Sequence, residues 1–239
     1  RGRFLTRKFY IEGFLEKHVI DYYFDLLGLI GINDIRETEK YMKMQIYDKD
    51  AAWGERFLNE NQAGPNQIFF GLIPGCGASW GIDADYRRWD KDKFAALAGR
   101  LSEDFDYRAI IFGDTTEIEI CKYISDKMRH KPIMACGKTN LKQLAALMQR
   151  CKFIVCNDGG PLHIAVSQGI KTVSIFGPVD DRVYGPYPPE GHIAIKKDLN
   201  CRPCYKKFKY KDCITRECLN YITVDEVYEA TLKLRESLI

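Results

Sequence analysis

The chain has 239 residues, which suffices for one large domain with an appendage but is cramped for two full nucleotide-binding domains. Hydrophobic residues make up 46% of the chain and charged residues 29%, a balance that excludes a disordered protein, a collagen and a coiled coil. The net charge of +3 is too small to indicate a nucleic-acid partner. No apolar run approaches the roughly 18 residues that a membrane-spanning helix needs.

The first quarter of the chain carries helical patterns. Apolar residues recur at helical spacing over 7–30 and again over 49–61, and both stretches are predicted to be helices. A Gly-Pro pair then interrupts the chain. We therefore expect residues 1–61 to form a helical segment in front of the main domain, residues 62–239.

Within the main domain, short apolar runs alternate with amphipathic segments. Strands are predicted at 68–73, 107–112, 132–134, 153–156 and 172–176. Helices are predicted at 91–101, 117–129, 140–149, 161–168 and 223–237, with Asn140 and Thr223 as the N-caps of the third and the last. Repeated strand–helix units imply a Rossmann-like α/β fold, a parallel sheet with helices on both faces. Ligands of such folds bind at the carboxyl ends of the strands, and three of these ends carry chemically notable residues.

The end of the fourth predicted strand carries a polar, glycine-rich motif. It reads Asn-Asp-Gly-Gly-Pro-Leu-His over 157–163. Gly159 and Gly160 allow a ligand to approach the backbone, and the N-terminus of the following helix attracts phosphate through its partial positive charge. His163, in the first helical turn, is expected to donate a hydrogen bond to the same anion. In the alternative interpretation, Asp158 merely caps the helix and His163 is an ordinary surface residue.

The first predicted strand ends in a run of small residues at 74–81. Their backbone N–H groups and the Ser79 hydroxyl are expected to face a ligand. A guanidinium, of Arg87 or Arg88, suits a diphosphate because it donates two parallel hydrogen bonds. The alternative is a flexible loop with solvated arginines and a core tryptophan.

The second predicted strand ends in Gly-Asp-Thr-Thr-Glu at 113–117. A carboxylate here is placed to accept hydrogen bonds from the diol of a ribose. The alternative is a helix N-terminus capped by Thr115 or Thr116, where Glu117 in the first turn interacts favourably with the helix dipole.

The nine cysteines fall into two groups. Five are scattered, and several of them lie in apolar runs, which indicates reduced, buried thiols and a cytoplasmic protein. Four are clustered: Cys201, Cys204, Cys213 and Cys218. This cluster suits a zinc site, although its second pair is spaced by four residues rather than two; disulfides and free thiols are the alternatives.

The stretch 196–211 holds seven basic residues and one acidic residue. Such a run is usually a solvated face. The alternative is a contact with an anionic surface, such as a phosphorylated glycolipid or the anionic inner leaflet of a membrane.

Taken in order, these motifs resemble those of glycosyltransferase family 9, the ADP-heptose:lipopolysaccharide heptosyltransferase family. The similarity rests on the motif at 157–163 with Phe-Gly-Pro-Val-Asp at 176–180, on the turn at 73–77 with Arg-Arg-Trp at 87–89, and on the cysteine pair at 201–204. The resemblance implies the C-terminal, donor-binding half of a GT-B glycosyltransferase, preceded by a helical interdomain segment.

The resemblance also implies a donor site for an ADP-sugar. By motif, the donor-binding residues are expected to be Ser79, Arg87, Glu117, Asp158, Gly159, Gly160 and His163. Arg87 would neutralise the diphosphate, Glu117 would hold the ribose, and the 157–163 motif would contact diphosphate and sugar. Family members often carry Ser or Thr where this chain has Gly159, so one hydroxyl donor is missing.

The implied reaction is an inverting, metal-independent transfer to a lipopolysaccharide core, and it requires no cofactor. Family members keep a catalytic base in an N-terminal domain that has no counterpart here, so no catalytic residue is assigned and the chain is expected to be incomplete. Two other interpretations remain. The chain is a nucleotide-binding module without transferase activity, or a zinc-knuckle adaptor for nucleic acid, which the small net charge disfavours.

Overall fold

The computed structural model describes residues 6–33, 41–77, 84–210 and 213–238. Six strands form one sheet in which every neighbouring pair is parallel. They are β1 (Phe69–Ile73), β2 (Arg108–Ile111), β3 (Ile133–Met134), β4 (Cys151–Asn157), β5 (Thr172–Ile175) and β6 (Ile193–Ile195). The strand order is β3-β2-β1-β4-β5-β6, so the predicted Rossmann-like parallel sheet is confirmed.

Nine α-helices are found in the described part of the chain. They are α1 (Val19–Gly28), α2 (Asp48–Glu60), α3 (Lys91–Phe105), α4 (Ile118–Lys127), α5 (Leu141–Met148), α6 (Gly160–Ser167), α7 (Asp181–Tyr184), α8 (Glu217–Asn220) and α9 (Val224–Glu236). A 3₁₀ turn, Thr115–Glu117, leads into α4. The N-caps of α5 and α9 are the predicted Asn140 and Thr223, each in a capping box with the side chain three residues later.

Two apolar cores lie on opposite faces of the sheet. Alternate residues of β1 point to opposite sides, so Phe70 and Leu72 join one core while Phe69 and Ile73 join the other. Helices α3, α4 and α9 cover the first core, and α2, α5 and α6 cover the second. This arrangement confirms the predicted helices on both faces.

The direction of the chain reverses in the middle of the sheet. From β1 the chain proceeds outward to β2 and β3, and it then crosses back to place β4 on the other side of β1. The loops after β1 and β4 therefore leave the sheet side by side in opposite directions. In an open α/β sheet this reversal point opens the crevice in which ligands bind.

The N-terminal segment differs from its prediction. The helix starts at Val19 rather than near residue 7, because His18 caps it: Nδ1 accepts from the Ile20 N–H at 3.2 Å, and Nε2 donates to the Gly185 carbonyl at 3.1 Å. The apolar Phe14 before it does not lie on a helical stripe; its ring packs at 5.3 Å from that of Phe208. Tertiary contacts with distant loops therefore replace the predicted first turns.

Helix α2 packs into the second core through Phe57 and Leu58. The predicted boundary between residues 61 and 62 stays a prediction. Strand β6 and the short helices α7 and α8 were not predicted from the sequence, since segments of three or four residues carry no readable periodicity. Among the described helices, none combines the length and the hydropathy needed to cross a bilayer.

Candidate functional site

The candidate site lies where β1 and β4 end. The β1 loop, residues 74–77, passes so close to Gly159 that a Cβ on this glycine would lie 2.3 Å from the Cys76 carbonyl oxygen. Only a residue without a side chain fits there. Helix α6 starts at the next residue, Gly160, with Pro161 in its first turn. The N-terminus of α6 therefore opens directly beside the β1 loop.

Asn157, the last residue of β4, connects three segments. Its side-chain Nδ2 donates to the carbonyls of Pro74 (2.7 Å) and Gly75 (3.2 Å), while Oδ1 accepts from the Trp89 N–H (2.9 Å). The residue is 1% exposed. Asn157 belongs to the glycine-rich motif but was not predicted as a site residue, because its partners are about 70 to 80 residues away in sequence.

Glu117 holds the β1 loop from the other side. Its Oε1 accepts from the N–H groups of Cys76 (2.9 Å) and Gly77 (3.0 Å), and its Oε2 accepts from the Asp114 N–H (3.1 Å). The carboxylate reaches this position because Gly75 has no side chain: a Cβ there would overlap Oε1. The backbone donors of the loop at 76 and 77 were predicted to face a ligand, but in the structure they bind Glu117.

Two adjacent arginines pair with buried carboxylates. Arg87 forms an ion pair with Asp158, and each of these residues is 2% exposed. Arg88 donates to Glu117 at 3.3 Å. Burial lowers the pKa of Arg87, but a guanidinium stays protonated at neutral pH. The charges of this region are thus arranged as neighbouring cation–anion pairs.

We call residues 74–77 and 87–89 together with Glu117, Asn157 and Asp158 the polar junction. Each residue of 87–89 is bound to a different buried side chain of the junction: Arg87 to Asp158, Arg88 to Glu117 and the Trp89 backbone to Asn157. The junction therefore fixes the position of the arginine segment at several points.

His163 lies in α6 next to this junction. Burial lowers its pKa to about 4, with smaller contributions from the positive charge of Arg87 and from His18. Its Nδ1 is buried and has no hydrogen-bond partner among the described residues. The imidazole is therefore neutral at pH 7, and it carries one N–H donor.

A row of aromatic rings starts beside the arginine segment. Tyr86 stacks on Tyr210 (5.6 Å between centroids), which contacts Tyr205 (4.7 Å); Tyr205 contacts Tyr184 (6.0 Å), and Tyr184 contacts Phe14 (6.1 Å). These rings come from four separate stretches of sequence. No local pattern indicated their assembly, and the row joins the N-terminal segment to the edge of the site.

Six of the predicted donor-binding residues are brought to this end of the sheet: Arg87, Glu117, Asp158, Gly159, Gly160 and His163. Their contacts with a donor stay predictions. Ser79, the seventh, lies outside the described residues. The protein itself already uses the carboxylates of Glu117 and Asp158, so a ribose contact by Glu117 would have to share or displace a present donor.

The nine cysteines form the two groups that the sequence indicated. The five scattered ones are buried, as predicted, and burial raises the pKa of Cys151 and Cys156. The clustered ones, Cys201, Cys204, Cys213 and Cys218, form no disulfide. In the described ranges, no three His, Cys, Asp or Glu side chains are grouped to hold a metal ion. Burial and the neighbouring Cys204, Cys213 and Cys201 raise the pKa of Cys218 to about 11, and the choice among zinc, disulfides and free thiols stays a prediction.

The basic stretch is largely paired. Lys196 and Arg202 both contact Asp181, Lys197 contacts Glu226, and Lys207 contacts Glu12. A tight turn joins Lys206 and Lys209 through two backbone hydrogen bonds of 3.0 Å, and Phe208 at its tip is 49% exposed. The charge excess of the sequence is therefore concentrated at this turn.

The chain is similar to a set of characterised proteins. The model of glycosyltransferase family 9 (heptosyltransferase) matches residues 3–215. Lipooligosaccharide heptosyltransferase 2 of Campylobacter jejuni serotype O:2 is 34% identical over 185 residues, which are 74% of this chain and 56% of the relative. The core heptosyltransferase OpsX of Haemophilus influenzae is 35% identical over 161 residues, 66% of this chain and 42% of the relative. The chain thus spans about half the length of these relatives.

Solved structures share the fold. A glycosyl transferase of family 9 from Veillonella parvula superposes with a TM-score of 0.75 at 26% identity, covering 98% of this chain and 64% of that one. The ADP-heptose LPS heptosyltransferase II of E. coli gives a TM-score of 0.62 at 22% identity, covering 80% of this chain and 53% of the other.

Proposed function

Because the chain belongs to glycosyltransferase family 9, we propose that it forms the donor-binding part of a GT-B heptosyltransferase. The reaction would transfer the sugar of a nucleotide diphosphate donor, ADP-heptose, to a lipopolysaccharide core acceptor. One observation carries the proposal: the N-terminus of α6, the Arg87–Asp158 pair and His163 lie together at the reversal point of the sheet. The names of its relatives support the choice of sugar.

The diphosphate would bind at the N-terminus of α6. The backbone there is accessible, because a Cβ built on Gly160 meets no described atom within 4 Å. The helix supplies free N–H groups and a partial positive charge, and the neutral His163 adds a hydrogen-bond donor. Arg87 has five N–H donors in total, and its pairing with Asp158 orients the guanidinium.

We further propose that the transfer proceeds with inversion and without a metal ion. An acceptor hydroxyl gives its proton to a general base, to which no described residue is assigned, and displaces the diphosphate at the anomeric carbon, so the new bond forms as the sugar–phosphate bond breaks. Negative charge then develops on the leaving ADP. Fixed donors aimed at this charge stabilise the transition state, and Arg87, His163 and the α6 N-terminus are the groups suited to that role.

A thermal-shift panel tests the donor site. ADP, UDP, GDP and CDP are compared, and ADP at about 100 times its dissociation constant should stabilise the fold by about 2.7 kcal/mol. His163→Ala and Arg87→Ala should weaken ADP binding, whereas Lys209→Ala on the exposed turn should leave it unchanged. If none of the four nucleotides raises the melting temperature, the chain has no donor site.

The alternative is a module that binds the nucleotide-sugar without transferring it. Such a module would give the same binding results as the enzyme, so a transfer assay is needed to distinguish the two. Radiolabelled ADP-heptose is incubated with the protein and a truncated lipopolysaccharide core, and label in the glycan is measured. Transfer that disappears in His163→Ala supports the enzyme. Tight ADP binding without transfer by the full-length protein supports the module.

For localisation, we propose a cytoplasmic protein that contacts the anionic inner leaflet through the turn at 206–209. Lys206 and Lys209 lie at the two ends of this turn, and the ring of Phe208 between them is half exposed. Basic residues with an aromatic ring suit a lipid headgroup region. Vesicles of mixed neutral and anionic phospholipid should sediment the wild type at low salt, and purely neutral vesicles should not. Lys206→Glu with Lys209→Glu should abolish sedimentation, and the matched control Lys233→Glu on α9 should not.

A further inference from the structure

We propose that Asn157 is a positioning residue for the donor site, one that sets the β1 loop and the arginine segment relative to the N-terminus of α6. This inference rests on the proposed function. Asn157 makes no contact with the donor itself and acts through the residues that it holds. Its side chain is buried, and each polar atom of its amide group is bonded to the backbone of another segment.

The chemistry of the amide explains why asparagine stands here. An amide side chain has two N–H donors and one carbonyl acceptor. Asn157 faces two carbonyls, of Pro74 and Gly75, and one N–H group, of Trp89. An aspartate would place negative charge against the two carbonyl oxygens. An apolar residue would leave three buried backbone groups without partners, at a cost for each.

The hydrogen bonds of Asn157 lie close to both partners of the buried ion pair. The next residue, Asp158, is one partner of the buried ion pair, and Trp89 stands two residues after Arg87, the other partner. Trp89 is fixed a second time by its indole Nε1, which donates to the Ile222 carbonyl at 3.0 Å. The side chain of Asn157 therefore sets the separation between the two segments that carry the ion pair.

The β1 loop is held in a complementary way. Asn157 binds its carbonyls at 74 and 75, and Glu117 binds its N–H groups at 76 and 77. The loop in turn borders Gly159, at the entrance to α6. A shift of the loop would therefore close or distort the space in front of the helix N-terminus, where the diphosphate is proposed to bind.

The test replaces one atom. Asn157→Asp keeps the shape of the side chain but exchanges the NH₂ group for an oxygen. When the carboxyl is ionised it repels both loop carbonyls; when it is protonated its O–H again donates to one of them. Burial without a positive partner raises the pKa of such a carboxyl. ADP affinity of the variant should therefore recover as the pH falls through that raised pKa.

The measured quantity is the ratio of ADP dissociation constants, variant over wild type, by calorimetry from pH 8 to pH 5.5. We expect a ratio of about ten or more at pH 8, which is about 1.4 kcal/mol, and a ratio near one at the acidic end. The ratio cancels the titration of ADP and of groups common to both proteins. The titratable and charged groups in or beside the junction are Arg87, Asp158, Glu117, Arg88, Cys76, Cys156 and His163.

The controls separate positioning from folding. Asn140→Asp makes the same exchange at the N-cap of α5, where aspartate also caps well, and should give a ratio of one at every pH. Melting temperatures are recorded in parallel. If the Asn157→Asp ratio is one at every pH while its melting temperature falls, Asn157 is merely structural and the inference is overturned. If the wild type binds no ADP, the proposed function fails instead.

Should Asn157→Asp not fold at pH 8, Asn157→Ser replaces it. This neutral side chain is too short to reach all three partners, so ADP should bind several-fold more weakly, with no dependence of the ratio on pH. Unchanged affinity in a folded Asn157→Ser protein contradicts the positioning role.

Discussion

The polar junction and the basic stretch at 196–210 are both rich in charge, but they use it differently. In the junction, the side chains of Arg87, Glu117, Asn157 and Asp158 are almost fully buried, and the contacts that join its segments link residues 29 to 83 positions apart in sequence. In the basic stretch, most lysines form exposed pairs or face solvent. Burial makes each junction contact consequential, since an unpaired group there has no water to bind.

This difference predicts which substitutions should affect the free energy of unfolding most. Exposed ion pairs contribute about 0–1 kcal/mol each, because solvent screens them. A buried pair contributes little as a whole, yet removing one partner is costly. Mutations of equal chemical size should therefore have very unequal effects in the two regions.

The largest effect is expected for Arg87→Ala. It leaves the Asp158 carboxylate buried without its cation, so the free energy of unfolding should fall by about 3–5 kcal/mol, measured by urea denaturation. Replacing both partners, Arg87→Met with Asp158→Leu, should restore part of this loss while ADP binding stays lost. An Arg87→Ala protein as stable as the wild type would show that the pair is not buried in solution.

A second test concerns two adjacent glycines. Gly159→Ala places a Cβ 2.3 Å from the Cys76 carbonyl oxygen, a backbone atom, so we expect a loss of about 1–3 kcal/mol in unfolding free energy and loss of ADP binding. Gly160→Ala meets open space and should change stability by less than about 0.5 kcal/mol. Weaker ADP binding by the stable Gly160→Ala protein would indicate a ligand at that backbone; unchanged binding would move the proposed diphosphate elsewhere.

The third effect is a pH dependence caused by His163. Its pKa is about 4 in the folded protein and about 6.5 in the unfolded chain, so between these values the unfolded chain binds the extra proton. The contribution of His163 to the free energy of unfolding should therefore fall as the pH is lowered from 6.5 to 4, and it should stay constant below pH 4. His192, whose pKa is also lowered to about 4, acts in the same window. In His163→Gln, the midpoint of urea denaturation should depend less steeply on pH than in the wild type. An unchanged slope would contradict the burial of His163.

The smallest effect is expected in the basic stretch. Lys207 pairs with Glu12, and both side chains are more than half exposed. Lys207→Ala should change the free energy of unfolding far less than Arg87→Ala does, and any change should vanish at high salt. A loss comparable to that of Arg87→Ala would mean that the two regions do not differ in the way described.

Much of the fold was readable from the sequence, since the helices and strands of the main domain have periodic patterns long enough to recognise. Capping residues such as Asn140 and Thr223 marked the starts of helices. Strand β6 was missed because three residues show no period. The start of α1 was misplaced because the apolar Phe14 serves a ring contact with a distant loop.

The candidate site was located by its strand ends, but its inner connections were not. Glycine, proline and histidine together at 157–163 indicated an anion site from local chemistry alone. Nothing local to Glu117 showed that its carboxylate would bind the N–H groups at 76 and 77. Likewise, the alternation of residues did not reveal that Asn157 connects three segments.

The sequence by itself therefore determined the succession of strands and helices, the strand ends that carry chemistry and the family resemblance, because each depends on residues adjacent along the chain. The tertiary structure alone decided which carboxylate meets which arginine and which backbone groups Glu117 and Asn157 bind. Those choices follow from the strand order, which places β1 beside β4 and brings together groups about 80 residues apart. Burial then makes each of these contacts obligatory, because a polar group removed from water must find its partner within the protein.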